Sequence, residues 1–208
     1  MLRYKVDEIF PTYVMKVDFS DVLTEEDQEM MVKSVDQLIE NGVIETSPYH
    51  PKYQTRMILF NNDSPKVWLK LRNTFLSACD LYIQQISDLV QAQESLVVRD
   101  VHAWCYKGWK SLNEKQVNPW HNHNPALLTG VFYLKIPGKE EYCGTELGDP
   151  RFPERQSTRN FITKPDEFSW SIFPGWLNHR SVYHDSEEPR YVIAANAFMS
   201  PNHEYCVK

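Results

Sequence analysis

Two stretches in the first half of the chain repeat apolar residues at three- and four-residue intervals, the period of a helix with one buried face. In residues 23–42, Met31, Val35, Leu38 and Ile39 form such a stripe. Thr24 can cap the first turn, Glu25, Glu26 and Asp27 suit the positive end of the helix dipole, and Asn41-Gly42 supplies a stop. A second stripe, Val67, Leu71, Phe75, Ala78, Leu81, Tyr82 and Ile86, predicts the longest helix, opened by Ser64-Pro65 and running to about Gln91. Both stripes read as packing surfaces. Around them, alternation over Tyr13–Phe19 predicts a strand, and YQTRMILF (53–60) predicts another, closed by Asn61-Asn62-Asp63.

After Gln93 the period shortens. SLVVRDVHAWCY, TGVFYLKIP, FSWSIFP and RYVIAANAFM are brief runs rich in β-branched and aromatic residues, separated by Pro, Gly and polar turns. Segments of this kind predict an antiparallel sandwich or barrel. The expected fold class is therefore α+β, mainly β, in one domain spanning 1–208. Residues 1–95 form a helical support region and residues 96–200 the β core. If 170–179 and 190–199 pair in a hairpin-like way, His179 and Arg190 both lie near its open end.

Composition changes this picture little. In 208 residues, 42% hydrophobic and 24% charged content is that of an ordinary globular protein. A net charge of −6 gives no reason to expect nucleic acid or an anionic membrane as a partner. No run is long and apolar enough to span a bilayer, and MLRYKVDEIF lacks the apolar centre of a signal peptide. Cys79, Cys105, Cys143 and Cys206 show no metal-finger spacing and are expected to be free thiols in a reducing cytoplasm.

The candidate chemistry is concentrated in the β half. His121 and His123 stand at i and i+2, which on an extended chain puts both side chains on one face, where they can grip one ion. His179 follows a Pro174-Gly175 turn, and Arg190 opens the last predicted strand. A guanidinium there is matched to a carboxylate by two parallel charge-assisted hydrogen bonds. Taken alone, an H-x-H pair is more often a packing or surface pair than a metal site. Asp149-Pro150-Arg151 reads first as a turn, and His50, His102, His184 and His203 have no partner pattern.

The ordered motifs His121-Asn122-His123, Thr129 through Leu134, Asp149-Pro150-Arg151, Phe173 through His179 and Arg190 through Asn196 resemble the Fe(II)/2-oxoglutarate-dependent oxygenases. Within them they look closest to the 2OG-Fe(II) oxygenases of marine bacteria and phages. The resemblance covers residues 100–200 well and 1–95 loosely. It implies a double-stranded β-helix, or jelly roll. It also implies a metal held by His121, His123 and His179, and a 2-oxoglutarate cosubstrate whose distal carboxylate meets Arg190 and Tyr133. Asn196 and Thr129 are further candidates for cofactor contact. At His123 the chain departs from the usual two-His-one-carboxylate triad. Three alternatives stay open there: a neutral three-histidine site, a carboxylate from elsewhere with Asp149 the nearest motif-embedded choice, or a position left to water or an anion.

The resemblance thus implies an Fe(II)- and 2-oxoglutarate-dependent dioxygenase that hydroxylates an organic substrate, small molecule or peptide, using O2 and releasing succinate and CO2. The rivals are a three-histidine dioxygenase, lyase or isomerase that does not use 2-oxoglutarate, and a non-catalytic jelly-roll module. Loops 107–119 and 138–165 are expected to set substrate choice. The oligomeric state, including a homodimer through the N-terminal helices, stays open.

Overall fold

A computed structural model describes residues 11–46, 52–90, 98–109, 119–136, 144–151, 160–182 and 186–199. The architecture is mainly β, with two helices laid against one face of a large antiparallel sheet. In chain order the elements are β1 (Met15–Asp18), α1 (Glu25–Glu40), β2 (Ile44–Thr46), β3 (Lys52–Thr55), α2 (Lys66–Val90), β4 (Val98–Gly108) and β5 (Leu128–Lys135). They continue with β6 (Thr145–Leu147), β7 (Phe161–Thr163), β8 (Ser169–Pro174), β9 (His179–Ser181) and β10 (Arg190–Met199). The seven-stranded sheet has the order β1-β8-β5-β10-β4-β3-β2, and a three-stranded sheet has the order β7-β6-β9.

Both helices begin and end where their local signals place them. The Thr24 hydroxyl accepts from the Asp27 backbone N–H while the Asp27 carboxylate accepts from the Thr24 backbone N–H, a reciprocal capping box. Lys70, from α2, bridges to the same carboxylate at 2.5 Å. Burial by itself raises the pKa of Asp27, but the Lys70 contact and the Thr24 hydrogen bonds outweigh it and hold the carboxyl below its ordinary value. Apart from Leu81, which the stripe predicted to be buried and which is exposed because it falls at the margin of the apolar face, the helix stripes meet one face of the large sheet in a core that includes Met31, Val35, Leu71, Phe75, Phe132, Trp170 and Ile193. Phe75 and Trp170 approach at 4.8 Å between ring centroids. Gly130 on β5 lies directly beneath them, where an added Cβ would meet Phe75 at 2.5 Å.

Alternation along β5 and β10 sends the other set of side chains toward the small sheet. Val131, Tyr133 and Phe173 from the large sheet pack with Leu147 and Leu177 in a second, smaller core, with Val192 against it. Two expectations are corrected. Residues 170–179 and 190–199 do not form a hairpin: β8 pairs with β1 and β5, β10 lies between β4 and β5, and His179 belongs to the small sheet. Strand pairing is a non-local choice, and the long central strands β4, β5 and β10 bury more by lying side by side. The strand predicted over 53–60 stops at Thr55, because Leu59 and Phe60 turn inward and are buried in the helix-side core. The support region also supplies β1, β2 and β3 to the large sheet.

Candidate metal centre

His121, His123 and His179 come together from two separate segments. The backbones of His121 and His179 exchange both hydrogen bonds, N–H to O at 3.0 and 2.9 Å, so these two ligands are clasped as an antiparallel pair. Beside that bridge the Asn122 side-chain amide donates to the Asn178 side-chain oxygen at 3.0 Å. The His123 N–H donates to the Gly175 carbonyl at 2.8 Å, while the Gly175 N–H donates to Leu127. This close approach requires glycine, since a Cβ at 175 would collide with the Ala126 carbonyl.

The three rings lie 4.4 to 5.1 Å apart between centroids, and one ligand atom from each falls within 4.8 Å of the others. Every ring has its Nδ1 against an oxygen: His121 on the Pro119 carbonyl at 2.8 Å, His179 on the Leu177 carbonyl at 2.9 Å, His123 on Asn196 Oδ1 at 2.8 Å. A carbonyl oxygen only accepts, so in the neutral ring the proton sits on Nδ1 and Nε2 keeps its lone pair. This is the tautomer and orientation that metal-bound histidines take. Nε2 of His123 is buried with no hydrogen-bond partner among the described residues. A buried nitrogen left unpaired in this way is costly unless an ion or ligand completes it. The donor set fits a divalent transition metal.

The electrostatics agree. Burial, reinforced by neighbouring His121, lowers the pKa of His123 to about 4. The same two causes, with His123 adding to them, lower His179 to about 3 despite its bond to Leu177. Both rings are therefore neutral, ligand-ready imidazoles at neutral pH. Among the described residues no carboxylate joins the cluster. Asp149 stands apart from it, with its carboxylate engaged by Arg151 Nε at 2.9 Å and Nη2 at 2.5 Å around its own turn.

The other predicted site residues line the space between the sheets. Asn196 Oδ1, which receives His123, also accepts from the Thr129 hydroxyl at 3.1 Å, so Thr129, Asn196 and His123 form one chain of hydrogen bonds. Tyr133 is buried, and its hydroxyl meets the hydroxyls of Thr145 at 2.8 Å and Thr163 at 3.2 Å. Arg190 reaches across from β10 and donates to the Val182 carbonyl at 3.3 Å. Val182 in turn bonds Gly144, next to Thr145, so Arg190 and Tyr133 reach neighbouring parts of the small sheet. In that sheet Leu147 pairs with His179 and Thr145 with Ser181. The His179 rung and the Thr145 rung that meets Tyr133 are two residues apart, roughly 7 Å along an extended strand.

Sequence reasoning left Trp104 without a role. It is 3% exposed and stacks on His123 at 5.4 Å with a 14° interplanar angle. A single Trp in an alternating strand carries no sign of which face meets a site. Trp120 lies under the Arg180 guanidinium at 4.9 Å, and Trp176 is 46% exposed. His102 sits outside the cluster beside Asp100, while His50, His184 and His203, like most of loop 107–119, lie outside the described residues.

Residues 107–196 match the model of a protein family described as "Putative 2OG-Fe(II) oxygenase". This stretch holds all three histidines and is what the chain has in common with that family. No curated protein sequence matches it. Solved structures share its fold at low identity. A prolyl hydroxylase from Trichoplax adhaerens, in complex with a hypoxia inducible factor oxygen degradation domain peptide, aligns with TM-score 0.58 and 13% identity, over 89% of this chain and 83% of that one. HygX from Streptomyces hygroscopicus, with nickel and 2-oxoglutarate bound, gives 0.60 and 11% over 90% and 83%. A prolyl-4-hydroxylase from Pseudomonas putida gives 0.59 and 8% over 90% and 92%.

Proposed function

We propose that the protein is an Fe(II)- and 2-oxoglutarate-dependent dioxygenase of double-stranded β-helix fold that hydroxylates an organic substrate and releases succinate and CO2. The observation that carries this reading is the trio of clustered imidazoles, each with Nδ1 anchored to an oxygen and one Nε2 without a partner among the described residues, inside the segment that matches the oxygenase family. His121, His123 and His179 hold the iron. When bound, iron and 2-oxoglutarate supply the oxidising chemistry; the protein supplies position, charge and exclusion of water.

The chain's own residues divide that work. Arg190 and the Tyr133 hydroxyl hold the distal carboxylate of 2-oxoglutarate, and the rung spacing between His179 and Thr145 suits the length of a five-carbon diacid. Thr129 and Asn196 act from behind, through the hydrogen bond that fixes the His123 ring. Val131, Phe173 and Leu177 keep the intersheet space apolar, which strengthens each polar contact made there.

Anaerobic titration with Fe(II) and then 2-oxoglutarate tests the assignment. A weak visible charge-transfer band is expected on the second addition, and succinate release on admitting O2. The lack of a carboxylate in the cluster favours one second reading, a three-histidine enzyme in which Arg190 binds the carboxylate of its own substrate. Iron binding with neither band nor succinate would establish that reading in place of the first.

A further inference from the structure

We infer that Trp104 is a binding residue, donating its indole N–H to the chelating carboxylate of the 2-oxo acid. The inference rests on the reading of the site as a 2-oxo acid pocket. Trp104 lies on β4 opposite Ala194 of β10, two residues from the Asn196 that anchors His123. Its ring is stacked nearly parallel on the His123 imidazole. Its Nε1 is buried and, among the described residues, has no acceptor. A buried indole N–H ordinarily finds a partner, so an unpartnered one on a ring stacked against His123, whose Nε2 is also unpartnered among the described residues, points to a missing acceptor.

The chemistry of that acceptor follows from its surroundings. The cluster is made of imidazoles with no carboxylate among the described residues, so a divalent ion bound there would keep its full charge and draw an anionic oxygen into the site. An ion held by His123 Nε2 would bring an anionic ligand to the end of the cluster where the indole is stacked. An N–H directed within the indole plane can then reach it. The opposite residue, Ala194, is small and cannot itself offer an acceptor side chain there. Trp104 belongs to the His123 end of the pocket, whereas Tyr133 pairs with Val192 one rung nearer Arg190. The indole therefore serves the keto-acid end and Arg190 the distal end.

Trp104→Phe keeps a stacked ring and removes the donor. Under anaerobic conditions with Fe(II), it is expected to raise the 2-oxoglutarate dissociation constant, read from the charge-transfer band, on the order of 10-fold, the scale of one hydrogen bond to a charged group. Iron affinity should not change. The same factor is expected with 2-oxopentanoate, which has the same chain without the distal carboxylate. An unchanged constant, a loss confined to 2-oxoglutarate, or an equal loss of iron affinity would each overturn the assignment. The wild-type protein gives a reading that no folding defect can spoil. With Zn(II) in place of iron, adding 2-oxoglutarate should shift the Trp104 indole N–H resonance downfield and slow its exchange with solvent, and an unmoved resonance would overturn it. If wild-type protein gives no band at all, it is the 2-oxoglutarate reading that fails.

Discussion

His123 sits in a local network of its own: a stacked indole on its face, a backbone bond to Gly175, and the Asn196–Thr129 pair behind Nδ1. Partners of this kind fix ring orientation, and their loss commonly costs about 10–100-fold in metal affinity. Asn196→Leu should show a loss of that size by chelator competition with Co(II), with Asn196→Asp retaining affinity because its carboxylate still accepts from Nδ1. Equal affinities for both variants and the wild type would remove Asn196 from the support of the site. In the proposed function Arg190 acts on a different ligand. Arg190→Ala should spare iron and weaken 2-oxoglutarate by about 30-fold or more, given roughly 2–5 kcal/mol for truncating one side of a buried charge pair. An unchanged cosubstrate requirement would refute its role.

Among the elements, α1 shows how a local signal becomes a tertiary one. Asp27 closes the capping box and also receives Lys70 of α2, so one carboxylate ties the helix start to its neighbour. Thr24→Ala should lower stability by about 1 kcal/mol, measured by denaturant unfolding. The pH dependence has a definite sign. Because the folded pKa of Asp27 is depressed, its contribution is present above the unfolded value of about 3.9 and is lost as pH falls through the folded one. Asp27→Asn should flatten the acid limb of the stability profile below about pH 4, and an unaltered limb would exclude this source. The turn at Gly175 is the corresponding device on the site side. A Cβ there pushes the turn off Ala126 and disturbs the bond that holds the His123 backbone.

For the molecule as a whole, the large sheet separates two jobs. Its helix side carries the main core, and its other side, facing the small sheet, carries the smaller core and the residues beside the histidine cluster. Phe75 is fully buried on the helix side, between Phe60 and Trp170. Phe75→Ala should cost about 3–5 kcal/mol, lowering the Tm by roughly 2–4 °C per kcal/mol for a chain of this size. Well below the new Tm, metal affinity should be unchanged. A parallel loss of affinity would show that the helices shape the site directly. Among the described residues no helix is long and apolar enough to cross a membrane.

The chain written out as a sequence determines both helices, because a 3.6-residue stripe bounded by Thr24 and Asn41-Gly42, or opened by Ser64-Pro65, is a local code. It also determines the long strands β4, β5, β8 and β10, and the ligand candidates His121, His123 and His179, whose residue types and motif order are visible without coordinates. The three-residue strands β6, β7 and β9 are too short to show a period, and 53–60 misled because an apolar run does not say whether it lies in a strand or turns into a core. Strand order, the clasp between His121 and His179, the bond from Asn196 to His123, and the placement of Trp104 were decided only by the tertiary structure. Each joins residues far apart in the chain, and such pairings are selected by the total surface buried and hydrogen bonds satisfied when both sheets close, which no local segment encodes.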